Sequence, residues 1–279
     1  MSFKDYIKEN LPWIRSIYRK RLAPINLIHN IFDKPVVVLL YHRVNYLNRD
    51  LFNINVTPDN FERHIQVLKN HYNVITFNDL KCNDIKEPSV IITFDDGYYD
   101  NYKYAFPILK KYQVPATIFI TSGGVDTDKE FWWDRLETVL FENKNLRESI
   151  ELDILNQRHI FDVSDDKKRL HSFYTLHHML FSLHPNERDM MLDRWYESYG
   201  LKVNPNNRTM TSSELIELYQ SQLVTLGAHT IHHPALKQIS REEQIQEIQS
   251  SKLFLENLLH TDIDIFAYPF GHKESFDQV

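Results

Sequence analysis

Apolar positions along the chain recur with two periods. Unbroken apolar runs at Val36 to Tyr41 (VVVLLY), Val90 to Phe94 (VIITF) and Ala116 to Ile120 (ATIFI) predict strands buried on both faces. Shorter apolar stretches at Val74 to Phe77, Leu223 to Gly227 and Ile265 to Tyr268 predict three more. Helical spacing fills the intervals. Thr57 and Pro58 supply an N-cap and a first-turn proline for a helix that turns Phe61, Ile65 and Leu68 inward. A second helix is predicted across Tyr102 to Lys111. Ser240 and Glu243 form a capping box for a third, with Ile245, Ile248, Leu255 and Leu259 inward. Strand–helix alternation of this kind predicts a parallel β/α architecture.

Two stretches break the rhythm. Residues 1–34 read as an amphipathic arm, with Phe3, Ile7, Leu11, Ile14, Tyr18 and Leu22 at helical spacing and Pro12 dividing it. Within 1–21, six basic residues stand against Asp5 and Glu9, a local excess of +4. Such an arm either docks on the body with its basic face solvated or makes a peripheral contact with anionic lipid. Residues 131–210 read as a helical insertion, with Ser164 capping one helix and another running from about Glu187 to Tyr199 before Gly200. The remaining domain spans 35–279.

Composition narrows the class. At 279 residues, with about 150 per domain, the chain suits two domains or one α/β barrel. The single cysteine, Cys82, excludes an internal disulfide framework. A net charge of −6 argues against a nucleic-acid binder. Six glycines disfavour glycine-rich nucleotide loops. No run approaches the roughly 20 apolar residues that span a bilayer, and no secretory leader is evident. A cytoplasmic protein is expected, with the arm resting peripherally at the inner face of the membrane.

Candidate chemistry lies where strands end, the face on which parallel β/α folds gather reactive groups. Asp95-Asp96-Gly97 follows VIITF directly, and adjacent carboxylates there need a cation or a shared proton. His229 and His233 close another strand at i and i+4, where two neutral imidazoles can converge on one ion. Pro234 biases His233 away from the right-handed helical region, so a turn is expected, with His232 pointing elsewhere. A third strand end, Phe266 to Gly271 (FAYPFG), makes a rigid wall that can aim a backbone N–H into a pocket. Together the first two describe two imidazoles, one carboxylate ligand and a spare carboxylate, the pattern of a catalytic Zn²⁺-type centre with an open position. The Phe131-Trp132-Trp133-Asp134 cluster is either a wall for sugar rings or an anchor for the insertion. His177, His178 and His184 read as helix-surface residues.

In this order, Thr93-Phe94-Asp95-Asp96-Gly97, His229-Thr230-x-x-His233-Pro234 and Phe266-Ala267-Tyr268-Pro269-Phe270-Gly271 resemble the motifs of the polysaccharide deacetylases, the NodB-homology enzymes of carbohydrate esterase family 4. Leu40-Tyr41-His42-Arg43-Val44 also resembles the first strand of many members. The resemblance implies a distorted (β/α)7-type barrel, α/β in class, that removes N-acetyl groups from a cell-surface polysaccharide or its lipid-linked precursor. It implies Asp95 as general base, Asp96, His229 and His233 as ligands of a divalent metal such as Zn²⁺, and the Phe270 N–H as an oxyanion donor. The same constellation would also serve a deformylase or an O-deacetylase.

The chain departs from the family pattern in two places. Ala267 stands where many members carry an arginine that orients the base, leaving Arg43 or Lys273 to take its place. The family's later motif, Leu-x-His with its acid histidine, does not follow Phe270, and only about six barrel strands can be counted. An incomplete barrel is therefore expected, its edge covered by a second copy or by the arm, with His42 or His272 as stand-in acid. These departures also fit a catalytically inactive sugar-binding protein.

Overall fold

Six consecutive apolar or hydroxyl-bearing residues, Ser89–Phe94, form the strand around which the molecule is built, and all six are buried. The computed structural model describes residues 36–81, 85, 87–271 and 275–276. The arm at 1–34, Cys82, His272 and Lys273 lie outside the described residues.

In chain order the strands are β1 (Val36–Tyr41), β2 (Arg43–Val44), β3 (Asn55–Val56), β4 (Asn73–Val74), β5 (Ser89–Phe94), β6 (Ala116–Ile120), β7 (Ser149–Ile154), β8 (Gln157–Asp162) and β9 (Val224–Ala228). The α-helices are α1 (Pro58–His71), α2 (Phe77–Lys81), α3 (Phe106–Tyr112), α4 (Trp132–Glu137), α5 (Asp166–Phe181), α6 (Pro185–Tyr199), α7 (Ser212–Gln220) and α8 (Arg241–Leu259). One parallel sheet runs β1-β5-β6-β9, with β4 against the start of β5. The register pairs Tyr41 with Phe94, Phe94 with Ile118, and Ile120 with Ala228. These strands therefore end at one level, and the turns leaving them meet at one face.

The predicted strand at Ile265 to Tyr268 contracts to a single parallel bridge, Ala228 to Phe266. Among the described residues the sheet does not close into a ring, and this bridge and β1 are its two edges. β1 corrects a second expectation. Its sequence reads as buried on both faces, yet Val37, Val38 and Leu40 are about half exposed, because an edge strand has a neighbour on one side only.

One core joins Phe61 and Ile65 of α1, Ile92 and Phe94 of β5, Leu109 of α3, Ile118 of β6, Leu215 of α7 and Leu255 of α8. On α8 the inward face is Glu247, Ser251, Leu255 and Leu259; Ile245, expected inside, is exposed.

The insertion has its own core, in which Trp133 and Leu136 of α4 and Ile150, Leu152 and Ile154 of β7 join Phe173, Leu176 and Trp195. It is not wholly helical. β7 and β8 form an antiparallel hairpin, with Ser149 opposite Asp162 and Ile154 opposite Gln157. Leu155 and Asn156 both take positive φ, at 51° and 62°, as a two-residue hairpin turn requires. α5 is capped by Asp165, whose carboxylate accepts the Lys168 N–H at 2.8 Å, rather than by Ser164. α6 starts at Pro185 and ends on Gly200 at φ 61°. The insertion is tied back to the sheet domain by antiparallel bridges Glu130–Arg208 and Tyr98–Thr209.

Candidate active site

β5 leads directly into the site. The Asp95 N–H still donates to Tyr41 O at 3.0 Å, continuing the sheet ladder by one residue. Asp96 and Gly97 then take φ of 75° and 76°, a left-handed turn that glycine permits at its second position. The turn drives Asp96 inward to 2% exposure, while Asp95 remains half-buried on the cleft side.

From the end of β9, the backbone folds sharply around Thr230 (φ 65°) and His233 (φ 53°). Positive φ at a β-branched residue is costly, and local bonds hold it there. The Thr230 hydroxyl accepts the His233 N–H at 3.1 Å, and the Thr230 carbonyl accepts the Ser122 N–H at 3.1 Å. This turn places both imidazoles against Asp96. Its Oδ1 lies 3.2 Å from His233 Nε2 and 3.5 Å from His229 Nε2. One donor atom from each of the three residues falls within 4.8 Å of the others, and all three residues are buried.

A divalent ion fits this donor set. Asp96 Oδ1 is sealed from solvent without a well-directed hydrogen bond. His229 Nδ1 lies 2.8 Å from the Ala267 carbonyl oxygen. A carbonyl only accepts, so the proton sits on Nδ1 and the Nε2 lone pair faces Asp96. Burial opposes charge on Asp96, but the two imidazoles outweigh it and hold the carboxyl well below its ordinary range. The imidazoles shift in opposite directions. Burial pushes His233 down to about 4, whereas for His229 burial is outweighed by Asp96 and Asp95, and its pKa rises. Asp95 moves up from its ordinary value, chiefly through burial, with Asp96 adding to the effect against His229 and His42.

These residues line a cleft of about 350 Å³ that also includes His42, Trp133, His177, Tyr268 and Phe270. A polar cleft of similar size, about 360 Å³, lies beyond Phe52 and Ile54 and contains none of the ligand residues. The Phe270 ring packs 4.6 Å from that of His233, and Trp133 packs 5.0 Å from it, both edge to face. Phe270 has φ 64°, and its N–H donates to no described residue.

The aromatic cluster divides its roles. Trp133 walls the cleft and donates through Nε1 to Tyr98 Oη at 2.7 Å. Trp132 faces away from it, stacked on His177 at 4.6 Å. His177 itself corrects its expected surface position, because it faces the cleft and is partly buried. Arg43 does not orient Asp95. It is buried in an ion pair with Asp100 at 2.8 Å and lies 3.6 Å from Asp134. At the position of the family's arginine, Ala267 contributes its carbonyl to His229 instead.

Glu247 escapes a reading of the sequence. Its carboxylate accepts the Ile231 and His232 N–H groups at 2.8 and 2.9 Å and lies 2.7 Å from His232 Nδ1. The signal available is the four-residue spacing of Glu247, Ser251, Leu255 and Leu259, which puts a carboxylate on the inward stripe of α8.

Fold and site thus define a two-histidine, one-aspartate centre with a spare carboxylate at the ends of parallel strands. The family model for polysaccharide deacetylases matches residues 83–145 and 190–276, and the chain belongs to that family. It is 29% identical over 198 residues to the poly-β-1,6-N-acetyl-D-glucosamine N-deacetylase of Staphylococcus aureus (strain MSSA476), covering 65% of this chain and 61% of that protein. It is 42% identical over 101 residues to YxkH of Bacillus subtilis (strain 168), covering 33% of this chain and 35% of that protein. The chain thus spans between about a third and three fifths of the length of these relatives. Among solved structures, IcaB from Ammonifex degensii superposes with a TM-score of 0.53 at 18% identity, covering 87% of this chain and 78% of that one. A polysaccharide deacetylase from Bacillus cereus superposes with a TM-score of 0.52 at 20% identity, covering 85% and 51%. At these identities the superpositions speak for the fold.

Proposed function

We propose that this chain hydrolyses N-acetyl groups on an N-acetylhexosamine polymer of cell-surface type or its lipid-linked precursor. The observation that carries the reading is one turn presenting two carboxylates to different surroundings: Asp96 is sealed against His229 and His233, and Asp95 stands on the cleft. Zn²⁺ held by Asp96, His229 and His233 would supply Lewis acidity toward the acyl oxygen and ease loss of a proton from water. Asp95, made more basic than an ordinary aspartate chiefly by its partial burial, takes that proton as the water oxygen bonds to the acyl carbon. The Phe270 N–H donates to the oxygen on which negative charge develops. The carbon–nitrogen bond then breaks, and the amine leaves with a proton.

His42 is assigned as the proton donor. Among described residues, the cleft holds two imidazoles outside the ligand set, His42 and His177. Burial pushes His177 down to about 4, which keeps it neutral and unable to give a proton near neutrality. Tyr268, half exposed at the mouth, offers a ring face to a sugar.

The test is product release by chelated and then Zn²⁺-reloaded protein. Acetate should appear from β-1,6-linked N-acetylglucosamine oligomers only after reloading, and His42→Gln should slow it by about 10²–10⁴. Acetate from O-acetylated glycans alone would make the chain an esterase, and formate from N-formyl analogues alone a deformylase. Glycan binding without any turnover would make it a sugar-binding protein.

A further inference from the structure

Arg188 stands on the inward side of α6, 3% exposed, and its guanidinium makes no hydrogen bond or ion pair among the described residues. A buried cation without an acceptor is disfavoured unless something supplies the missing charge. Its neighbour Asp189 lines the same cleft and favours the charged guanidinium from a distance, but forms no ion pair or hydrogen bond with it. The guanidinium lies over the Trp132 ring at 4.6 Å, and burial pushes its pKa down to about 10.

Arg188 lines a cleft of about 60 Å³ together with Trp132, Thr209, Gly124 and Lys129. Seven buried side-chain polar atoms among the described residues lack a hydrogen-bond partner, and three are on residues that line this cleft: Arg188 Nε, Trp132 Nε1 and Thr209 Oγ1. Another, Asp96 Oδ1, faces the two ligand imidazoles, where an ion is called for. Arg and the Trp indole can only donate, and the Thr hydroxyl can do so, so their complement is an acceptor. Glu130, on the same wall, does not supply it: its oxygens accept from Asn207 Nδ2 at 3.0 Å and Tyr196 Oη at 3.2 Å. Gly124 keeps the approach to Thr209 open, since a Cβ there would lie 2.7 Å from Thr209 Oγ1.

We propose that this cleft is an anion site, separate from the Asp96–His229–His233 centre, that binds a free small oxyanion of the carboxylate or phosphate class on Arg188. At roughly 10–15 Å³ of such space per water, the cleft suits about four waters, or one oxyanion of four or five heavy atoms, and is too small for a sugar ring. The site does not depend on the deacetylase reading.

The test follows the four tryptophan indole N–H resonances of ¹⁵N-labelled, metal-free protein during titration with inorganic phosphate, acetate and neutral acetamide at constant ionic strength. The resonance assigned by Trp132→Phe should move saturably with at least one of the two anions and not with acetamide. The response should persist in His229→Ala. Its midpoint should move up by about tenfold or more in Arg188→Met, and upward also in Gly124→Ala, which keeps the guanidinium in place. No saturable response to either anion would overturn the proposal. So would an equal response to acetamide, loss of the response in His229→Ala, or an unchanged midpoint in Arg188→Met. Should Arg188→Met fail to fold by circular dichroism, Gly124→Ala and Thr209→Val decide it, and unchanged midpoints in both would overturn it.

Discussion

Glu247 grips His232 at both backbone and ring, with carboxylate oxygens 2.9 Å from its amide nitrogen and 2.7 Å from Nδ1. Since His232 lies between the two ligand histidines, this helix carboxylate fixes the turn that presents them. Burial opposes charge on Glu247, but His232 outweighs it and holds the carboxyl below its ordinary value. Glu247→Gln keeps the shape and removes the charge. Metal affinity should fall by about 10–100-fold, as for other outer partners of ligand groups, while the fold persists. Competition against a chromophoric chelator measures it, and an unchanged affinity would mean the turn holds itself.

His229 is the ligand most completely set in place, with its Nδ1 on the Ala267 carbonyl and its Nε2 toward Asp96. His229→Ala leaves one carboxylate and one imidazole, a pair that seldom retains a divalent ion. Elemental analysis after demetallation and reloading should find near-stoichiometric metal in wild type and little in the variant. Equal loading would remove His229 from the ligand set.

Asp95 should be separable from the metal. It shares the turn with Asp96 yet is absent from the converging donor atoms. Asp95→Asn preserves volume but cannot take a proton, so turnover on N-acetylated oligomers should drop by about 10²–10⁴ with metal content kept. Metal lost along with activity would make Asp95 a ligand instead of a base.

The acid side of the stability profile should carry a contribution from His177. Its ring stacks on Trp132 at 4.6 Å and meets Phe52 at 4.9 Å, and burial lowers its pKa from 6.5 to about 4. Between those values the unfolded chain binds more protons than the folded one. The stabilising effect is therefore complete above pH 6.5 and is lost as pH falls toward 4. His177→Phe should reduce the destabilisation between pH 7 and pH 5 by about 1 kcal/mol, allowing for partial solvent screening. Urea midpoints at the two pH values test it, and identical shifts in both proteins would show that His177 titrates normally.

The legible part of this protein lies in short, contiguous stretches of its sequence. VIITF is a strand, and Asp95-Asp96-Gly97 a turn at its end, because backbone preferences and one glycine act over a few bonds. His229 and His233 are legible as a pair through their spacing, and the capping box of α8 through its own. The hairpin is also written locally, in the alternation of Ser149–Ile154, but helical stretches on either side obscure it. Long-range packing settles the rest. A run such as VVVLLY looks the same in the middle of a sheet and at its edge, and the edge exposes Val37, Val38 and Leu40. The rotation of α8, which turns Glu247 inward and Ile245 outward, follows from the distant turn that needs a carboxylate. Arg43 goes to Asp100 and not to Asp95, and His177 to the cleft and not to the surface, because pairing and burial depend on which segments meet in space. Local preference has a range of a few residues, whereas the strand ends that make this site are brought together from more than 130 residues apart, Asp96 to His229 and His233.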